Sequence, residues 1–209
     1  MQSFRTGRFR TWGYFNFLSE NGQQPLPESA MICPHANRTV MTSPSYFFKT
    51  MPSPVGQLTL VANDHGLAAV LWENDDPNRV RLSPLHEDSK HPVLLEAERQ
   101  LRDYFAGKRE TFSLKLDFKG TDFQKKVWAA LLTIPFGETR SYAQIAEQIG
   151  NPNAVRAVGA ANGKNPISII APCHRVIGSN GKLTGFAGGM EAKAFLLKLE
   201  SKQLVLKGE

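Results

Sequence analysis

Residues 137–164 read GETRSYAQIAEQIGNPNAVRAVGAANGK, and their reading decides the architecture of the C-terminal part of the chain. Ser141 followed by Gln144 is the spacing of a capping box, in which hydroxyl and amide each satisfy a free backbone N–H at a helix start. Tyr142, Ile145 and Ile149 then share one helical stripe, and Gly150 supplies a stop. After the tight GNPN turn, Pro152 stands where a first helical residue is expected, and AVRAVGAANGK (154–164) reads as another short helix. Two short helices around a tight turn have a helix-turn-helix outline.

Upstream, Thr121 with Gln124 repeats the cap signal. Phe123, Val127, Ala130, Leu131 and Ile134 form an apolar stripe that Pro135 and Gly137 end. Downstream, SIIA (168–171) and RVIG (175–178) read as short β segments. GSNGKLTGF (178–186) carries Asn180-Gly181, a hairpin signal that would make a wing.

The helix at 154–164 places Arg156, Ala160 and Gly163 on one face and Val155 and Val158 toward another. A lone guanidinium among tiny side chains lets a partner approach the backbone, and suits phosphates or a groove. Taken alone, the pattern fits close packing inside the domain better. Charge moves the reading toward nucleic acid. Residues 1–118 carry 13 Lys/Arg against 13 Asp/Glu and residues 119–209 carry 12 against 6, so the entire net charge of +6 lies in the C-terminal part.

The first half has a different texture. YFFKTMPSPVGQLTLVANDHGLAAVLWE (46–73) alternates β-rich runs with turn residues, the pattern of antiparallel hairpins. HPVLLEAERQLRDYFAGK (91–108) spaces Leu94, Ala97, Leu101 and Phe105 helically and stops at Gly107, and TFSLKLDF (111–118) alternates as a further strand. The change from strand to helix pattern near Lys119–Thr121 puts a domain boundary there, giving domains over 41–118 and 119–209. Residues 1–40 are rich in Arg and aromatics but poor in the Ala and Leu of a stable targeting helix. They read as a poorly ordered extension, with Met41 a plausible start. No apolar run approaches the roughly 18 residues of a membrane span. Two cysteines, Cys33 and Cys173, exclude a disulfide framework or a four-cysteine zinc site and fit a reducing cytosol.

Cys173 lies in NPISIIAPCHRVIG (165–178). A lone free cysteine is more often a buried hydrophobe than a nucleophile, and Ile169, Ile170 and Ala171 fit that reading. His174 argues against it, because a basic neighbour raises the reactive thiolate fraction. Consecutive side chains of a strand point apart, but Pro172 makes a departure from regular strand plausible here. On the closing helix Ala192, Leu196 and Glu200 share an i, i+4 row. Glu200 thus continues an apolar row and, if it faces inward, needs a partner. Periodicity alone leaves a solvent-facing charge as the commoner outcome.

NPISIIAPCHRVIG, with GKLTGFAGG downstream and GETRSYAQIAEQIGNPNAVRAVGAANGKNP upstream, closely resembles the O6-alkylguanine-DNA alkyltransferases, especially the bacterial non-adaptive kind. The resemblance is strong over about 119–200 and weaker over about 46–118. It implies a mixed α/β (α+β) chain, with an N-terminal ribonuclease-H-like domain followed by a winged helix-turn-helix domain that holds the site. The implied reaction is irreversible transfer of the alkyl group from O6-methylguanine in double-stranded DNA to Cys173, once per molecule, with O4-methylthymine as a second substrate the resemblance allows. The resemblance also implies the roles. The third helix enters the minor groove with Ala157 and Ala160 against DNA, and Arg156 replaces the flipped nucleotide in the stack. Tyr142 presses on the backbone phosphate and donates a proton to the leaving guanine. Glu200 orients His174, which acts through a water as base for Cys173. Asn165 braces the turn beside Cys173, and Phe186, Ala187 and Gly188 wall the pocket. Phe186 stands where a tyrosine is common and Ala187 where some members carry a serine, so the aromatic wall is kept while the hydroxyl contacts are not. No cofactor or metal is implied, and the family usually works as a monomer in the cytoplasm.

Three other classes compete. A DNA-binding module without chemistry would be a winged-helix regulator or an alkyltransferase-like lesion binder, and the lesion binders are disfavoured because they carry tryptophan in place of Cys173. A cysteine hydrolase using Cys173 and His174 leaves the basic helix without a purpose. A structural zinc at Cys33, His35, His65, His86 and His91 lacks any paired-cysteine spacing.

Overall fold

A computed structural model describes residues 45–207; residues 1–40, read above as an extension, and Met41 lie outside them. The hairpin pattern of the first half forms three antiparallel strands, β1 (Tyr46–Ser53), β2 (Gly56–Asn63) and β3 (Gly66–Trp72). A short β4 (Leu85–Glu87) joins parallel to β1, giving the order β3-β2-β1-β4. Gly66 turns at φ +146, and a Cβ there would stand 2.4 Å from the Lys115 carbonyl oxygen, so only glycine fits. Helix α1 (Pro92–Phe105) lays Leu94, Ala97, Leu101 and Tyr104 against the core.

Residues 111–118 correct the expectation of a strand. Phe112, Leu114, Leu116 and Phe118 do turn toward the core, but the only ladder contact is one bridge from Leu116 to Leu67. The alternation sorted the faces, and backbone pairing with the edge of β3 stopped after the Lys115 and Asp117 bonds to Leu67.

In the second half, α2 (Asp122–Leu131) and α3 (Tyr142–Gln148) both start at complete capping boxes, at Thr121 and Ser141. A Schellman turn ends α3: Asn151 N–H donates to Ala146 O and Gly150 N–H to Glu147 O, with Gly150 at φ +76. One turn of 3-10 helix at Pro152–Ala154 leads into α4 (Val155–Gly163). The strand β5 (Arg140–Ser141) pairs in parallel with β6 (Val176–Ile177), and α5 (Gly189–Lys207) closes the chain.

Two further expectations are corrected. SIIA is a tight turn held by Ala171 N–H to Ile167 O, with one bridge from Ile167 to Val70. The Asn180-Gly181 turn forms, with Gly178 N–H bonded to Lys182 O, but no return strand follows. The wing is a loop from 178 to 188.

β3 offers its edge to both halves, since Leu67 takes Leu116 and Val70 takes Ile167. The main core reflects this, joining Leu58, Leu60 and Leu101 of the first half to Ile167, Ile169, Ile170 and Leu196 of the second. A second core gathers α2, α3 and α4 around Val127, Trp128, Ile145 and Val158, with Cys173 at its margin. No helix among the described residues is long and apolar enough to cross a membrane.

Candidate active site

The approach to Cys173 is an irregular backbone. Ile169 holds φ +72, a left-handed conformation that costs a β-branched residue about 1–3 kcal/mol and that its full burial helps to enforce. Pro172 then starts one 3-10 turn, Cys173–Arg175, so the departure from strand geometry, expected at the proline, already begins at Ile169 and continues through Pro172. Asn165 braces this bend. Its Nδ2 donates to Ala171 O at 2.8 Å and its Oδ1 accepts from Ile167 N–H at 3.1 Å. Asn165 is held in turn by the Arg79 guanidinium, which donates to Asn165 O and pairs with Asp75.

Glu200 faces inward and is fully buried, as its apolar row allowed. Its Oε1 accepts from His174 Nε2 (2.8 Å), Tyr104 Oη (2.8 Å) and Arg175 Nη2 (2.9 Å). Its Oε2 accepts from Arg175 Nε (2.9 Å) and Gly137 N–H (3.2 Å). Burial works against this carboxylate, but the His174 and Arg175 hydrogen bonds outweigh it and hold its pKa at about 2. An ionised carboxylate only accepts, so the His174 proton is on Nε2. Nδ1 is then the free base position, and it is buried with no hydrogen-bond partner.

Burial pushes the His174 imidazole below its ordinary value, against the opposing pull of Glu200. Burial likewise pushes the Cys173 thiol up, while the Asn165 side chain and the charges of Arg79 and Lys193 pull it back. Both shifts favour the neutral forms, a protonated thiol and an imidazole whose Nδ1 lone pair can accept a proton. Lys193, also buried, anchors the neighbouring segments by donating to Val176 O (2.6 Å) and Thr184 O (3.2 Å).

Phe186 meets His174 edge-on at 6.5 Å and Trp72 at 5.3 Å. Ala187 is half-buried beside it. At Gly188 a Cβ would lie 2.5 Å from the Trp72 ring, which requires the glycine. Trp72 also donates to Ser168 Oγ at 3.2 Å. Tyr142, at the first position of α3, hydrogen-bonds Thr184 Oγ1 at 2.7 Å, tying that helix to the 178–188 loop.

On α4, Arg156, Ala157, Ala160 and Gly163 are all exposed, while Val158, Ala161 and Asn162 face inward. Val155, expected away from that face, is 37% exposed. The structure thus gathers Cys173, His174, Glu200 and Asn165 into one buried cluster with Phe186 beside it, and Arg156 stands apart on the open face of α4.

Sequence reasoning passed over Tyr104, Arg175, Lys193, Arg79 and Trp72. Arg175 stands beside His174 in the quoted motif, and a second cation next to an expected inward carboxylate was a usable signal; the others had none.

The fold and the cluster define a helix-turn-helix protein that carries a buried thiol next in sequence to a carboxylate-bound histidine, together with an exposed, small-residue helix. Residues 46–118 match the family model described as the 6-O-methylguanine DNA methyltransferase ribonuclease-like domain, and residues 122–202 match the DNA binding domain of the same methyltransferases. The chain belongs to the 6-O-methylguanine DNA methyltransferase family. It is 51% identical to the methylated-DNA--protein-cysteine methyltransferase of Methanosarcina barkeri, over 76% of this chain and 99% of that one. It is 50% identical to the Mycobacterium tuberculosis protein of the same name, over 75% and 93%. The crystal structure of Mycobacterium tuberculosis OGT in complex with DNA superposes with a TM-score of 0.69 at 48% identity, covering 76% of this chain and 94% of that one.

Proposed function

We propose that the protein is a methylated-DNA--protein-cysteine methyltransferase that repairs O6-alkylguanine in double-stranded DNA by direct reversal, in the cytoplasm. Family membership and about 50% identity across both domains support the activity. The observation that carries the assignment of residues is the fixed tautomer of His174: Nε2 is committed to Glu200, and a buried, unpartnered Nδ1 is left next to Cys173 in sequence.

Arg156 enters the stack in place of the damaged nucleotide, with Ala157 and Ala160 permitting close approach of α4 to the groove. The alkylated base turns toward Phe186, Ala187 and Gly188. His174 Nδ1 takes the thiol proton through a water, and the sulfur attacks the alkyl carbon in line. The S–C bond forms as the C–O6 bond breaks, and guanine leaves with a proton from Tyr142. For this, Tyr142 exchanges its bond to Thr184 for one to DNA. The thioether is stable, so each molecule acts once.

Duplex DNA carrying a labelled O6-methyl group tests this reading. Label should appear on the peptide containing Cys173 and be absent from Cys173→Ser. Binding without transfer would leave a lesion-binding protein instead. Arg156→Ala should slow repair of duplex DNA by ten-fold or more while sparing reaction with free O6-benzylguanine, an estimate on the order of one lost intercalating contact. Equal losses on both substrates would remove Arg156 from the flipping role.

A further inference from the structure

The transfer just described has no part for Tyr104, although it touches the centre of the site. Tyr104 belongs to α1, in the ribonuclease-like half, and is fully buried. Its hydroxyl reaches 96 residues along the chain to donate to Glu200 Oε1 at 2.8 Å, the oxygen that also receives His174 Nε2–H. The direction of that hydroxyl is set by rigid packing: Phe105 and Phe112 lie 5.4 Å and Phe136 6.3 Å from the ring. Burial, then the charge of Glu200, holds the phenol above its ordinary pKa, so it remains a donor throughout the working range.

We propose that Tyr104 is a positioning residue for alkyl transfer, which by sharing Glu200 Oε1 with His174 limits the carboxylate's hold on the imidazole and keeps the base neutral. The inference rests on the roles of Cys173 and His174 proposed above.

Each donor on a carboxylate oxygen withdraws charge from it and lowers its proton affinity. An oxygen relieved of one donor would stabilise imidazolium more strongly, and a protonated His174 cannot take the proton of Cys173. The other charged groups facing His174 are Arg175, on the same turn, and Lys193, on α5; both oppose a second proton on the ring, and Phe186 supplies an apolar edge. Tyr104 therefore acts with Arg175 and Lys193 against protonation of His174. Unlike them, it is held by the first domain, so that domain completes the hydrogen bonding of the reacting centre.

Tyr104→Phe removes the hydroxyl and keeps the ring. In the full chain, the His174 imidazole is titrated by nitrogen NMR, with the resonance assigned through His174→Gln, and single-turnover transfer to Cys173 is followed over the same pH range. The His174 midpoint should rise by about one pH unit in Tyr104→Phe, and the acid limb of the transfer rate should move with it. Leu101→Ala, a cavity on the same buried face of α1, should lower the melting temperature and leave the midpoint in place. An unchanged midpoint in Tyr104→Phe overturns the proposal, as does an equal rise in Leu101→Ala. Failure of the wild-type protein to transfer an alkyl group would instead overturn the functional reading, and the NMR midpoint would still decide whether Tyr104 acts on His174.

Discussion

Cys173 and His174 are both pushed by burial toward their neutral forms, the thiol upward and the imidazole downward. A neutral pair suits a reaction in which the proton leaves as the sulfur attacks, because no isolated charge waits in the apolar site. Single-turnover transfer should be nearly flat from about neutrality to about pH 8. It should fall on the acid side with a midpoint below the ordinary imidazole value of about 6.5, where His174 takes a proton. A midpoint above that value would show the imidazole to be stabilised in its charged form. Glu200 has a separate signature. Its folded pKa of about 2 lies below the unfolded value near 4.3, so it contributes stability above pH ~4.3 that is lost as pH falls toward 2. The contribution is on the order of 3 kcal/mol. Urea unfolding of Glu200→Gln should lack that acid-range loss. At pH 7 the variant should also be less stable by about 3–5 kcal/mol, since the Arg175 guanidinium would remain buried without its anion. How much of this was legible follows from sequence distance. Glu200 was signalled only weakly, since its row with Ala192 and Leu196 left a solvent-facing charge as the commoner outcome, and His174 stood out by adjacency to Cys173. Tyr104 to Glu200 and Trp72 to Ser168 each span 96 residues, and no local pattern encodes such contacts.

Elements whose signals are local formed as read, because a cap or a stop is satisfied within one turn. Thr121 and Ser141 close capping boxes, and Gly150 ends α3 in the left-handed conformation. Two expected strands departed from expectation for want of pairing: 111–118 found a single bridge on β3, and the return arm of the wing found none. Alternation reports which face is buried, whereas a ladder also requires an accessible edge. The Ser141 cap has a consequence for the site, because Tyr142 is the next residue and reaches Thr184 from the first turn of α3. Ser141→Ala should destabilise the protein by about 1 kcal/mol, read from thermal or urea unfolding. It should also slow transfer from duplex DNA and from a free alkylated guanine alike, because Tyr142, proposed above to protonate the leaving base, is the residue next to the cap. Undiminished transfer from both substrates would detach the cap from the placement of Tyr142.

At the scale of the molecule, the ribonuclease-like and DNA-binding halves share one core. Ile167, Ile169, Ile170, Ala192 and Leu196 pack among side chains of the first half, β3 carries a bridge to the segment just before Cys173, and Trp72 lies against Gly188. Burying the isoleucine and leucine side chains among these contributes about 1.5–3 kcal/mol each, an amount neither half could recover alone. The described part of the chain should therefore unfold as one cooperative unit. Calorimetry of the full chain should give a single transition for it, with calorimetric and van't Hoff enthalpies in agreement. A chain cut between Phe118 and Lys119, with only 119–209 retained, should lose the Tyr104 hydrogen bond, the Trp72 wall and the packing around Ile169 together. That fragment should expose apolar surface to a hydrophobic dye and transfer an alkyl group at least ten-fold more slowly than the full chain, on the order of the loss when supporting contacts around a reacting centre are removed. Two resolved transitions in the full chain, or a fragment with undiminished transfer, would mean that the shared core is contact without coupling.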